Sequence, residues 1–142
     1  MTDCEILTLV DRLERCLLSH TEFHHRHHLA VAAVYLYGAD VEAALDKMRA
    51  SLLRFVAHHG GNRYHETMTR FWLLQVAKHL DRNLCLQEAV RRATGILADK
   101  DLIYRYYSRE LLASPTAKLG WVEPDLRQLI QADARSSQAA EA

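Results

Sequence analysis

Leu29-Ala30-Val31-Ala32-Ala33-Val34-Tyr35-Leu36-Tyr37 has no charged residue and no polar face. A helix that is apolar all round is enclosed by other helices, so this stretch predicts a central element with neighbours on every side. Its small residues Ala30, Ala32 and Ala33 let those neighbours approach closely. It is the longest apolar run in the chain and falls well short of the roughly 18 residues a membrane span needs.

Helical periodicity continues in both directions. The spacing predicts a first helix over Asp3 to Ser19, with Ile6, Leu9, Val10, Leu13, Leu17 and Leu18 on one stripe. The central helix is expected from Glu22 to Tyr37, capped by Thr21 and stopped by Gly38. Asp40 caps a third, Val41 to His58, closed by Gly60-Gly61. A fourth is expected from Tyr64 to Leu80, a fifth from Leu86 to Leu97 and a sixth from Asp101 to Ala113. Pro115 ends the regular pattern, and Pro124 to Ile130 is read as one further turn or two. No segment alternates long enough to argue a sheet. The expected fold is therefore all-α: a compact antiparallel bundle of five to six helices around one largely buried helix. It is expected to be a single domain over residues 1–131, followed by a small, polar, disordered tail from Ala132 to Ala142.

The whole chain has 142 residues, enough to bury a core. Lysine plus arginine and aspartate plus glutamate number 18 each, so nothing resembles the basic excess of a nucleic-acid binder. Met1-Thr2-Asp3-Cys4-Glu5 lacks the basic start of a signal peptide. Cys4, Cys16 and Cys85 show no Cys-x-x-Cys spacing and read as reduced thiols. These features together suggest a cytoplasmic protein without membrane or nucleic-acid partners; a small-molecule substrate and self-association both stay open.

Chemistry concentrates in the histidines. Four of nine crowd into Phe23-His24-His25-Arg26-His27-His28. Residues three or four apart share a helix face, so His25 and His28 form a pair above Ala32 and Tyr35 and point toward the core. His24 and His27 turn to the rim. The positive end of the helix dipole disfavours imidazolium, which keeps these rings in the neutral form a metal or a general base requires. The second cluster, Tyr64-His65-Glu66-Thr67-Met68-Thr69, leads into Phe71-Trp72-Leu73-Leu74. His65 there shares a face with Thr69, Trp72 and Val76. Adjacent helical residues point about 100° apart, so His65 and Glu66 share an ion only at a frayed first turn. His-Glu-x-x-His is absent, which excludes a zinc protease of that type.

His25, His28 and His65 are accordingly the candidate metal ligands, with Glu66 as a fourth group and zinc, iron, nickel or manganese as the candidate ions. Three protein ligands leave a position open for water or substrate, as a hydrolytic or oxidative enzyme would use. A metal-free pocket enzyme with His65 and Glu66 moving protons and a non-catalytic interaction module are the other readings. His58 and His59 read as helix C-terminal residues favoured by the dipole. His20 and His79 read as helix termini, and Tyr104, Tyr106 and Tyr107 as core residues with hydroxyls at the rim, with a substrate-lining role as the alternative.

Phe23-x-His25-x-x-His28, Tyr64-His65-Glu66-Thr67-x-Thr69 and Pro124-Asp125-Leu126 together resemble a family of small uncharacterised bacterial helical proteins, over about residues 23 to 126. The resemblance singles out His25, His28, His65 and Glu66, and it brings no established activity with it.

Overall fold

The computed structural model of the protein describes residues 1–129. The expected turn at Ile130, the domain limit at 131 and the expected disordered tail from Ala132 fall outside them. Among the described residues seven α-helices form: α1 (Asp3–Glu14), α2 (His25–Tyr37), α3 (Val41–His58), α4 (Glu66–His79), α5 (Leu86–Ile96), α6 (Arg109–Ala113) and α7 (Pro115–Leu119). A 3-10 turn over Leu102–Arg105 separates α5 from α6. No strand occurs among the described residues.

The central element is where its composition predicts. Helix α2 packs against α1, α3, α4 and α5, and Leu29 through Ala33 are all buried, as are Tyr35 and Leu36. Ala30, Ala32 and Ala33 are buried in it, and their methyl groups take little of the space between packed helices. One hydrophobic cluster surrounds it, including Ile6, Leu13, Leu45, Leu52, Phe55, Leu73, Val76 and Val90. A second, smaller cluster gathers Phe71, Ile103, Tyr107, Leu112 and Leu129. Trp72 packs against both. Among the described residues no helix is long and apolar enough to cross a membrane, and all three cysteines are free thiols.

Helix α4 begins at Glu66 rather than Tyr64, and three further boundaries differ from the periodicity, each for a local reason. Helix α1 ends at Glu14 rather than Ser19. Cys16 takes the left-handed conformation, φ 57°, while Cys16 N donates to Leu13 O at 3.0 Å and Leu17 N to Arg12 O at 2.7 Å. These are the two bonds of a Schellman cap, built without the glycine that would announce it. Helix α2 begins at His25, not Glu22, because residues 19–22 close a turn of their own: Glu22 N donates to Ser19 O, and Glu22 Oε1 accepts from Ser19 N at 2.9 Å. The expected sixth helix is broken. Ser108 Oγ accepts from Leu111 N at 3.1 Å and opens α6, and Ser114 Oγ accepts from Ala117 N at 3.2 Å and opens α7. Pro115 thus starts a helix as its first residue, where its missing N–H costs nothing, instead of ending one. Beyond α7 the chain to Leu129 is irregular, with Leu126 N bonded to Tyr106 O at 2.9 Å.

Candidate functional site

Between the first turns of α2 and α4, the C-terminal half of α3 and the segment around Lys100–Tyr104 lies a cavity of about 510 Å³. Phe23, Met48, Leu52, Phe55, Met68, Trp72 and Ile103 make it largely apolar. Five histidines line it: His20, His25, His28, His59 and His65. Both clusters singled out in the sequence therefore meet at one hollow, and the inward turn expected of His25 and His28 above Ala32 is what places them there. His24 is exposed, as expected of a rim residue, whereas His27 is half-buried like His25 and His28.

The histidines do different work within this wall. His25 Nε2 donates to Leu97 O at 2.9 Å, and its ring meets Trp72 edge-on at 4.5 Å. His59 Nε2 donates to Leu18 O at 3.1 Å. His27 Nδ1 accepts from His24 N at 2.9 Å, taking the role that a glutamate three residues into the helix plays in a capping box. Burial, then the neighbouring Arg26 and His24, lower its pKa and favour the unprotonated nitrogen this bond needs.

His65 is the N-cap of α4 rather than a member of its apolar stripe. Its Nδ1 accepts from Met68 N at 3.1 Å and its Nε2 donates to Leu112 O at 2.7 Å. Both ring nitrogens are thus committed to backbone. Glu66, the next residue, faces a different hollow. Its carboxylate takes two hydrogen bonds from Arg49, at 2.9 and 2.6 Å, and a third from Tyr64 Oη at 2.6 Å. The Arg49 bonds outweigh the effect of burial and lower its pKa, while burial and the bond to Glu66 raise that of Tyr64. Glu66 and Arg49 line an open groove shared with Leu119 and Trp121, whereas His65 lines the cavity and Glu66 does not.

The expected assembly of His25, His28 and His65 around one ion, with Glu66 as fourth group, is not formed in this arrangement. Among the described residues no three His, Cys, Asp or Glu side chains are grouped to hold a metal. His65 has no ring nitrogen to give, and Glu66 is turned away with its charge matched. The same geometry separates His65 from Glu66 as a proton-transfer pair. The cause is the helix start: α4 begins at Glu66, so the two residues straddle the cap and diverge.

His28 is the exception. It lies deep against Phe23, ring centroids 4.0 Å apart. Burial, reinforced by the neighbouring His25 and His27, lowers its pKa to about 4. Among the described residues no protein group hydrogen-bonds its ring, yet no buried side-chain nitrogen or oxygen there lacks a partner. Both His28 nitrogens therefore keep open surface, and that surface is the cavity's. A neutral imidazole offers one donor and one acceptor.

Residues outside the candidate ligand set complete the wall. His20 sits in the turn before α2, with its ring 5.6 Å from that of His59. Arg63 and Lys100 line the cavity from exposed loops and enter no ion pair among the described residues. Tyr104 lines it as well, while Tyr107 is fully buried in the second cluster. The available signal was the Gly60-Gly61-Asn62-Arg63 loop, which returns the end of α3 toward the start of α4. No family model, curated protein or solved structure matches the chain.

Proposed function

We propose that the protein binds a small, largely apolar molecule in this cavity, with one polar group of the ligand hydrogen-bonded to His28. The observation behind this reading is the unpartnered His28 ring opening into an apolar hollow of about 510 Å³, a size within the usual range of small-molecule sites. A ligand hydroxyl or carbonyl would hydrogen-bond the open His28 nitrogens, and Phe23, Leu52 and Trp72 would cover the apolar remainder. Reception of a ligand is favoured over metal-dependent or His65–Glu66 chemistry because His65 and Glu66 are already engaged by Leu112, Met68, Arg49 and Tyr64.

The test is titration with N-phenyl-1-naphthylamine, a neutral apolar fluorophore. One saturable site is expected. Met68→Trp and Val56→Trp, which fill the hollow from half-buried positions on α4 and α3, should each weaken binding by about tenfold or more while far-UV circular dichroism keeps its helical shape; this corresponds to losing roughly 1.4 kcal/mol of contact. Absence of saturable binding, or unchanged binding in both folded variants, would refute the reading. Equimolar Zn²⁺ should leave the melting temperature in place. A stoichiometric rise that disappears in His25→Ala and His28→Ala would return the site to the metal reading.

A further inference from the structure

We infer that the ligand carries an anionic head, a carboxylate or a phosphate, held at the cavity mouth by Arg63 and Lys100. The inference rests on the cavity being a ligand site and concerns which class of ligand enters it. Arg63 and Lys100 are the arginine and the lysine in the wall, both exposed, and neither is neutralised by a salt bridge among the described residues. Among the described residues no aspartate or glutamate lines the cavity. Glu66, the acid nearest Arg63 in sequence, faces the other groove with its charge matched by Arg49, and Asp101, exposed beside Lys100, does not line the cavity. Asp99, one residue before Lys100, is directed to Arg105 at 3.8 Å. Two cations with no acid among the lining residues leave this rim locally positive in a chain of balanced charge. Such a rim raises the local concentration of anions and opposes cations. The apolar wall below it excludes a small hydrophilic anion as a good fit. The combination describes an amphiphile: charge at the mouth, alkyl or aromatic body inside.

Displacement of bound N-phenyl-1-naphthylamine by decanol, decanoate and decyl phosphate separates head from body. At least one anion should displace the fluorophore at about fivefold lower concentration than decanol, the scale of two exposed charge contacts acting together. That advantage should shrink in 1 M salt. In Arg63→Gln/Lys100→Gln it should vanish, while decanol displaces as before. If both anions only match or trail decanol, or if the double variant keeps the advantage, the inference is overturned although the cavity still binds. If the fluorophore itself does not bind the wild-type protein, it is the ligand-site reading that has failed.

Discussion

A single histidine sets the acid behaviour expected of this protein. His28 is held near 4 in the fold, mainly by burial, against an ordinary value of about 6.5. Below about pH 6.5 the unfolded chain takes up a proton at this position that the folded chain refuses. Stability from His28 is therefore fully present above that pH and is lost as pH falls from about 6.5 toward about 4. Between pH 7 and pH 5 the loss is about 2 kcal/mol. Urea unfolding at those two values should show it, and His28→Leu should remove most of it. His27 and His79 are shifted the same way by burial, so the variant's profile flattens without becoming level. Glu66 is shifted downward, so its own contribution fades only below the range compared. Equal losses in wild type and variant would contradict the account. The burial of His28 was readable from its spacing to Ala32 and the apolar run. Its freedom from hydrogen bonds was not, because that depends on what Leu97, Leu112 and Leu18 do with the other rings. Cys16 is illegible for a related reason: a left-handed cap on a non-glycine residue leaves no mark in the sequence.

At the scale of an element, Tyr64-His65-Glu66-Thr67-Met68-Thr69 is a joint. Tyr64 and Arg49 grip Glu66, His65 caps α4 and reaches α6, and Thr69 Oγ1 donates back to His65 O at 2.8 Å. Thr67, fully buried, donates to Gly120 O at 2.8 Å and accepts from Val122 N at 3.3 Å. The string was conspicuous in the sequence because it is so polar beside an apolar run, and its inventory of donors and acceptors suggested chemistry. Histidine is not among the usual N-cap residues, so the helix was extended two residues too far back, to Tyr64 and His65, and its faces were assigned accordingly. If His65 is a cap, His65→Ala forfeits about 1 kcal/mol at Met68 N and roughly 1–3 kcal/mol more at the Leu112 carbonyl left unpaired. His65→Asn restores the cap but is too short for Leu112, and should recover about 1 kcal/mol of the loss. Denaturation midpoints should fall in the order wild type, Asn, Ala. An alanine variant as stable as wild type would show that the two bonds contribute nothing.

For the whole molecule, the bundle around α2 was legible because one stretch without a polar face can be satisfied only by surrounding it. The region after α5 was not. A 3-10 turn and two five-residue helices are too short to sustain a period, and Ser108 and Ser114 start helices where the tyrosines suggested continuity. The cavity was illegible as well, since its wall is drawn from stretches scattered between His20 and Tyr104. What the irregular region builds is the second cluster, tied back by Tyr107 Oη to Val122 O at 2.6 Å and by Thr67 to Gly120. Phe71 belongs to that cluster while its neighbour Trp72 touches both, and their rings meet edge-on at 5.1 Å. Two clusters sharing one helix should not come apart separately, because freeing the C-terminal region would expose Phe71 and the buried Thr67 hydroxyl at once. The chain's two tryptophans report the two sides: Trp72 stands between the clusters, and Trp121 packs against the second, under the Arg70 guanidinium at 5.1 Å. Urea titrations of Trp72→Phe, followed by Trp121 fluorescence, and of Trp121→Phe, followed by Trp72 fluorescence, should each coincide with that variant's own loss of helical circular dichroism. Coincident transitions are the mark of one cooperative unit. An early Trp121 transition, with helix content largely retained, would instead mean that the segment after α5 is a separable appendage and that α4 holds the bundle without it.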